Sequence, residues 1–424
     1  MQGGLVVGAC ILLGNVTGFF RVAVTAYLLG THTRADALAV AIGPLDTLNS
    51  VIVNTMLFAF VPMLMLRQAG NRAALFAQAA RVFTYIFAAA SLATALFAPQ
   101  WIAILGPGLA APERAQAVTL LRWLAPSTLF TAASATFSAL LYTERRFAVP
   151  GMYQTCINGG TIAGALLLGK TMGVNGFTIG YSAGSGIQLL LSWYFSRDLR
   201  REPRTALRVP VAEVLLKPGM FMLYAGLIAG NLVVTRIFAT HAGPGIAAAL
   251  DYSMRCLSVV IAYLVYPVAT TLVPEIAHLH GANESAKARR LIDSGVFLMA
   301  VAAVLSCALG VLLRKPVIAM LFERGSFTAE STALVSAVFL GFAPSLIGWA
   351  LLELIARCFF ALNRPKLPLI AAFIPIAVNL TITSILRSEG RLTSPLTIGL
   401  GASIGFLAGF AALFTMIHAR KQIG

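Results

Sequence analysis

The sequence contains little charge, and most of the charge it has is positive. Only 11% of its 424 residues are Asp, Glu, Lys or Arg, with 15 acidic residues against 31 basic ones, whereas about 25% of a soluble domain is charged. Hydrophobic residues make up 58% of the chain. These proportions exclude an ordinary soluble domain and predict an all-α polytopic membrane protein.

The sequence lacks the motifs of several function classes. The five cysteines show no CxxC spacing and lie in apolar segments, so we expect small buried side chains and neither disulfides nor a zinc site. No P-loop or Rossmann fingerprint occurs, and we therefore predict no enzymatic activity, no cofactor and no ATP hydrolysis. The net charge of +16 follows from basic cytoplasmic loops, so we expect no nucleic-acid partner.

Apolar runs of about 20 residues, long enough to span a bilayer, predict twelve helices. We place them at 4–29, 36–66, 74–97, 115–141, 149–168, 176–195, 211–239, 247–277, 291–313, 333–362, 369–386 and 395–418. The first run continues into the fold, so we interpret it as a spanning helix and not as a cleavable signal peptide. Basic residues concentrate in the loops on the side of both termini, which predicts that both termini are cytoplasmic.

The chain divides into two similar halves. We predict an N-terminal six-helix lobe at 1–198, a basic cytoplasmic linker at 199–210 and a C-terminal six-helix lobe at 211–424. Arg21 precedes Asp36 by the same interval as Arg236 precedes Asp251. Because six helices return the chain to the same side, the halves are predicted to be parallel repeats around a central cavity.

Arginines inside predicted spans are the main candidates for function, because an ionisable group there costs roughly 2.5–3.5 kcal/mol. Neither Arg21 nor Arg236 has an acid one turn away on its own helix. Each must be neutralised by another helix or by a ligand, and for Arg21 the other-helix partner would be Asp46 or Asp36. Arg255 follows Asp251 by one turn, so those two can also pair with each other.

Two further polar groups have competing interpretations. Asp46, Asn49, Ser50 and Asn54 share one face of the second helix, which favours either a site for a cation or a sugar-peptide headgroup, or a polar contact between helices. Glu353 and Arg357 stand one turn apart, and we predict a self-neutralised structural pair there.

Four motifs resemble the MurJ/MviN family of lipid II flippases, within the multidrug/oligosaccharidyl-lipid/polysaccharide exporter superfamily. They are GFFRVA at 18–23, ADA at 35–37, AFVPML at 59–64 and LFERGSFTAEST at 321–332. The resemblance implies a multi-pass protein of the bacterial inner membrane. It would move a polyprenyl-diphosphate-linked peptidoglycan precursor between leaflets by alternating access, with membrane lipids and cell-wall synthesis proteins as partners.

The resemblance also suggests binding residues. Arg21 and Arg255 fall on family cavity arginines, and Asp36 falls on the acid that opens the second helix. Asn15 replaces a family arginine, and the cavity arginine of the second helix falls near Leu48 or Asn49. Our candidate substrate-binding set comprises Arg21, Arg236, Arg255, Asp36, Asp46, Asn15 and Asn49.

The departures from the family keep two alternatives open. The family's sodium site would use Asn379 and a position near Thr383, but neither is acidic, so the coupling cation is unassigned. The family's fourteen helices exceed the twelve predicted here, which leaves the exact substrate open. One alternative is a drug/cation antiporter, which would require acids to dominate the cavity. The other is a transport-deficient paralogue that scaffolds cell-wall enzymes.

Overall fold

A computed structural model describes residues 2–201, 209–282, 284–362, 364 and 366–419. Within these ranges the regular structure is helical, without a β-strand. The principal helices are α1 (Gln2–Leu29), α2 (Thr33–Thr55), α3 (Ala69–Leu96), α4 (Ala111–Thr143), α5 (Tyr153–Met172), α6 (Asn175–Phe195), α7 (Val211–Ala242), α8 (Ile246–Gly281), α9 (Ser285–Phe322), α10a (Ala329–Phe342), α10b (Ser345–Ala361), α11 (Lys366–Ser388) and α12 (Leu400–Ala419). Residues 202–208 of the predicted linker lie outside the described residues.

Shorter segments join or extend these helices. After Thr55, α2 continues through a π-helical turn at Met56–Phe60 into Val61–Met65. Short α-helices follow at Ala98–Leu105, Ala148–Gly151 and Pro395–Ile398, and 3-10 turns at Leu199–Arg201 and Arg391–Thr393. The predicted all-α membrane fold is confirmed, and each predicted helix has a counterpart, with α10a and α10b forming the tenth.

Within the described ranges, nine helices are long and apolar enough to cross a membrane. A tenth span is formed by α10a and α10b, which are bent by 48° at their junction. The junction contains Pro344, whose ring removes a backbone donor that would continue the helix. The remaining two, α5 and α6, are rich in glycine, serine and threonine, which lowers their hydropathy.

The described residues form two compact units, 1–25 with 33–226 and 26–32 with 227–424. In the first unit, α4 packs against α2, α3 and α6. Its core includes the π-helical turn, where the Phe60 ring meets the Phe83 ring edge to face at 5.6 Å. In the second unit, α8 packs against α9, α10a and α10b, while α12 packs against α10b and α11.

Helices α5 and α6 approach each other closely because glycines face glycines. A Cβ atom added to Gly164 would lie 2.6 Å from Gly180 Cα, and one added to Gly160 would lie 2.7 Å from Gly184 Cα. Without side chains at these positions the two backbones come into direct contact, the usual device for packing helices in lipid. This interface holds α6 in the first unit.

The LFERGSFTAEST motif seats the end of α1 and the following turn in the second unit. Ser326 N donates to Tyr27 O at 2.9 Å, and the hydroxyls of Thr31 and Ser331 lie 2.9 Å apart. Tyr252 of α8 donates to Gly30 O at 2.9 Å. The motif is therefore a packing element for residues 26–32.

The expectation that the cysteines are buried holds only in part. Cys358 is buried, whereas Cys10, Cys156, Cys256 and Cys307 are partly exposed. Spanning helices present one face to lipid, so an apolar segment does not imply burial within the protein.

Candidate functional site

Arg21 is neutralised by a carboxylate from the neighbouring helix. From α1, Arg21 Nη2 donates to Asp46 Oδ2 of α2 at 3.2 Å. Their side chains are 17% and 28% exposed, so the pair is partly shielded yet remains accessible. This is the cross-helix contact that the sequence left as an alternative to ligand binding.

Asp46 has a second donor behind it, which the sequence reasoning missed. Tyr181 of α6 donates its hydroxyl hydrogen to Asp46 Oδ1 at 2.8 Å. Asn49 Nδ2 lies 3.3 Å from the Tyr181 hydroxyl oxygen and 3.2 Å from Ser127 Oγ. Tyr181, Asn49 and Ser127 are all fully buried, so a hydrogen-bonded chain runs from the interior of the first unit to Arg21.

A signal for Tyr181 was present in the sequence. Tyr181, Ser185, Gln188 and Ser192 recur at helical spacing in a glycine-rich segment, and all four are buried. A polar stripe on an apolar helix indicates contacts inside the bundle. Ser192 does lie within hydrogen-bonding distance of Ser134 and Ser138 of α4.

Asn15 and Asp36 lie elsewhere on the same two helices. Asn15 is partly buried on α1, about one and a half turns before Arg21. Asp36 is buried in the first turn of α2, where the positive end of the helix dipole favours a carboxylate. Their assignment to substrate binding stays a prediction.

In the second unit, Arg236 of α7 is held by Asp251 of α8. Arg236 Nε and Nη2 both donate to Asp251 Oδ1, at 3.1 Å and 2.5 Å. The arginine side chain is only 5% exposed, whereas that of Asp251 is 31% exposed. Arg255 is partly buried one turn after Asp251 on α8. Arg236 is thus neutralised from another helix.

The predicted structural pair on α10b is confirmed. Arg357 Nε and Nη2 donate to Glu353 Oε1 at 3.1 Å and 2.8 Å. Both side chains are about a quarter exposed, and the pair neutralises itself within one helix.

The sodium candidates Asn379 and Thr383 belong to a neutral hydrogen-bonded cluster. Asn379 Nδ2 donates to Asn231 Oδ1 at 2.8 Å and to Thr235 Oγ1 at 2.9 Å. Thr383 Oγ1 donates to Asn379 Oδ1 at 2.9 Å. All four side chains are buried.

This cluster is a poor match for the sodium ion that the resemblance implies. A hard cation favours carboxylate and carbonyl oxygens, but no carboxylate belongs to the cluster, and the amide oxygens of Asn231 and Asn379 already accept internal bonds. The described residues also contain no group of three or more acidic, histidine or cysteine side chains able to hold a metal. The cluster therefore acts as a neutral contact that joins α7 to α11.

The geometry provides, in each unit, an intramembrane guanidinium paired with one partly exposed carboxylate. A guanidinium stays charged at any depth, and its planar fork binds two oxygens of a phosphate or carboxylate at once. At Arg21, whose side chain is 17% exposed against 5% for Arg236, the chemistry available is recognition of an anionic group.

Comparison with known proteins adds a family. The family model described as "Lipid II flippase MurJ" matches residues 25–424. The chain is 26% identical to the lipid II flippase MurJ of Burkholderia cenocepacia, covering 96% of this chain and 83% of that protein. It is also 26% identical to the probable lipid II flippase MurJ of Rhizobium meliloti, with 98% and 81% covered.

Solved structures agree in fold. A lipid II flippase MurJ in an inward closed conformation matches with a TM-score of 0.84 and 20% identity, over 98% of this chain and 87% of that one. An inward-facing multidrug resistance MATE family transporter of the MOP superfamily matches with a TM-score of 0.75 and 12% identity, over 96% of both chains.

Proposed function

This chain belongs to the lipid II flippase MurJ family, and we propose from this premise that it moves a polyprenyl-diphosphate-linked peptidoglycan precursor, lipid II or a close relative. The direction would be from the inner to the outer leaflet of the bacterial cytoplasmic membrane. Alternating access would expose the binding site to one side at a time. Its helices make it a multi-pass membrane protein, and its relatives named lipid II flippase MurJ support the substrate class.

The observation that carries the proposal is Arg21, a partly exposed guanidinium on a spanning helix, held by a partly exposed Asp46. A diphosphate requires multidentate cationic donors that remain charged in a low dielectric. Arg255, which is partly buried on α8, is also proposed to bind substrate, whereas Arg236 is only 5% exposed and is neutralised by Asp251. Asn15, which is partly buried on α1, would contribute a polar contact to the headgroup. Asp36 and Asn49 are buried and would act indirectly, through the packing of α2.

The energy source would be the membrane potential or an ion gradient. Moving one charge through 100 mV is worth about 2.3 kcal/mol. The neutral cluster around Asn379 favours the membrane potential over sodium coupling through that site.

We place both termini in the cytoplasm. The excess of basic residues in the loops on that side supports this orientation. At the end of α6, the Arg197 guanidinium carbon lies 4.3 Å from the Tyr194 ring centroid, which supports a membrane interface at this end of the helix. Aromatic and basic residues together are typical of the membrane interface. Reporter fusions after α6 and after α9 test the orientation, since only the second should be external.

Complementation of a strain depleted of its own lipid II flippase tests the function. Arg21→Glu and Arg255→Glu should abolish growth while the proteins still accumulate in the membrane. Arg391→Glu, which reverses an exposed loop charge, is the matched control and should complement. Growth with both Arg21→Glu and Arg255→Glu would exclude the diphosphate proposal. Failure of the wild type to complement, although it accumulates in the membrane, would favour a scaffold that binds cell-wall synthesis proteins. Native mass spectrometry of the purified chain should detect a co-purified polyprenyl diphosphate lipid.

A further inference from the structure

Asp46 stands between a cation at the accessible side and a hydroxyl donor in the interior. One carboxylate oxygen accepts from Arg21 at 3.2 Å, and the other accepts from Tyr181 at 2.8 Å. Asp46 is 28% exposed, whereas Tyr181 is fully buried. The two contacts on this carboxylate therefore differ in how easily a ligand can reach them.

The interior contact is fixed by its own surroundings. Tyr181 accepts from Asn49 at 3.3 Å, and Asn49 also donates to Ser127 at 3.2 Å. These three residues lie on α6, α2 and α4, which pack together in the first unit. The tyrosine hydroxyl is thus held in place whether or not Asp46 contacts Arg21.

A ligand phosphate that binds Arg21 must compete with Asp46. Two anions on one guanidinium repel each other, and a carboxylate stripped of its partner in a partly buried position is strongly unfavourable. A hydrogen bond to an ionised acceptor is among the stronger kinds, and it strengthens further when the neighbouring cation leaves, because that cation no longer neutralises the carboxylate. The Tyr181 hydroxyl is therefore placed to stabilise the Asp46 carboxylate once Arg21 has left it for the phosphate.

We propose that Asp46 is a resident counterion, which phosphate oxygens displace from Arg21, and that Tyr181 is the positioning residue that keeps the displaced carboxylate hydrogen-bonded. This inference rests on the proposed function, because it assumes an anionic headgroup at Arg21. It adds a role for two residues: Asp46 weakens binding and promotes release, and Tyr181 limits how strongly Asp46 competes.

The two residues should therefore act in opposite directions. Tyr181→Phe removes only the hydroxyl and makes displacement of Asp46 harder, so affinity for lipid II should fall about tenfold. Asp46→Asn removes the competing charge, so affinity should rise about tenfold while turnover falls because release is slower. In the Asp46→Asn background, Tyr181→Phe should change affinity less than about twofold, since no carboxylate remains to be stabilised.

Binding of lipid II to the full chain in phosphatidylcholine nanodiscs, measured by native mass spectrometry, provides the test. Unlabelled inorganic pyrophosphate serves as a competitor to show that the diphosphate is recognised. Tyr142→Phe, which removes a hydroxyl from a partly buried tyrosine on α4, is the matched control and should bind as the wild type does. Thermal unfolding of each variant checks that the purified protein used in the binding measurement is folded.

The outcomes distinguish failure of the counterion role from failure of the proposed function. Suppose that the wild type binds lipid II, but Tyr181→Phe and Asp46→Asn shift the affinity in the same direction or act independently of each other. The contact between Tyr181 and Asp46 would then only hold α6 against α2, and the counterion role would be wrong. If neither the wild type nor Asp46→Asn binds lipid II or pyrophosphate, the proposed function itself fails.

Discussion

Arg236 directs two nitrogens at a single oxygen of Asp251, with Nε at 3.1 Å and Nη2 at 2.5 Å. In the sequence repeat, Arg236 corresponds to Arg21 and Asp251 to Asp36. Arg21 nevertheless contacts Asp46, three turns farther along α2 than Asp36. The halves thus share the principle of an arginine neutralised from the next helix, but they use acids at different positions to achieve it.

The contact between Arg236 and Asp251 leads to the first prediction. Asp251→Ala leaves a guanidinium that is 5% exposed without this carboxylate, and breaking a buried pair from one side is costly. We expect the unfolding free energy to fall by roughly 2–4 kcal/mol, the lower end reflecting the partial exposure of Asp251. The measurement is thermal unfolding of the detergent-purified chain.

A matched control uses the exposed pair of Arg146 and Asp198, whose side chains are 47% and 51% exposed. Asp198→Ala should change the melting temperature little, because exposed ion pairs contribute little. Equal effects of the two substitutions would contradict the importance of burial at Arg236.

Packing of α5 on α6 leads to a second prediction. Gly180→Ala adds a Cβ that would lie 2.9 Å from Gly164 Cα, and two backbones in contact cannot move aside without separating the helices. We expect a loss of about 1–3 kcal/mol, the usual cost of overpacking. Gly159→Ala is the control, since nothing lies within 4 Å of its added Cβ. Differential scanning fluorimetry compares them, and similar melting temperatures would rule out the close approach.

A third prediction concerns the LFERGSFTAEST motif. Gly325 has φ of +62° and faces Tyr27, whose ring atom Cε2 would lie 2.7 Å from an added Cβ. Gly325→Ala should therefore lower stability by about 1–2 kcal/mol from backbone strain alone, and by more from the steric overlap. Gly390→Ala isolates the strain, because Gly390 has φ of +69° with nothing near its Cβ. Proteolysis in the loop between α1 and α2 should increase only for Gly325→Ala.

The Asn379 cluster leads to a fourth prediction. Asn379→Leu removes the shared partner of Asn231, Thr235 and Thr383, and buried polar groups left unsatisfied cost roughly 1–3 kcal/mol each. We expect a clear fall in melting temperature. Thr381→Val, at an exposed hydroxyl two residues later on α11, should have little effect.

The same cluster predicts how the protein responds to sodium. A ligand that binds the folded state raises its stability, and a site without a carboxylate should bind sodium poorly. Replacing sodium by potassium should therefore leave the melting temperature unchanged. A sodium-dependent increase that Asn379→Leu abolishes would show that the neutral cluster holds the cation after all.

A fifth prediction concerns pH at the loop after α6. The Arg146 guanidinium, which donates to both oxygens of Asp198, lowers the pKa of that carboxyl below its ordinary value. A depressed folded-state pKa stabilises the protein above the ordinary pKa of an aspartate, and this contribution is lost as pH falls through the folded value. The small difference in melting temperature between wild type and Asp198→Asn should thus be present at pH 7 and vanish at acidic pH, below the folded-state pKa.

Much of the fold could be predicted from residues close together in the sequence. The lengths of the apolar runs predict the spanning helices, and composition predicts the membrane as solvent. The contact of Glu353 with Arg357 was predictable as well, because one turn of helix fixes the distance between the two side chains. The family motifs then indicated the substrate class through their resemblance to the lipid II flippases.

The tertiary structure decided which groups meet between helices. Helix rotation and tilt bring Asp46 to Arg21, place Tyr181 behind Asp46, and set the glycines of α5 against those of α6. These contacts depend on how neighbouring helices pack. The apolar pattern does not specify that packing, because both the lipid-facing side and the protein-facing side of a spanning helix are apolar. Local spacing therefore determined the helices of this protein, whereas the partners of its intramembrane charges came only from the way those helices pack.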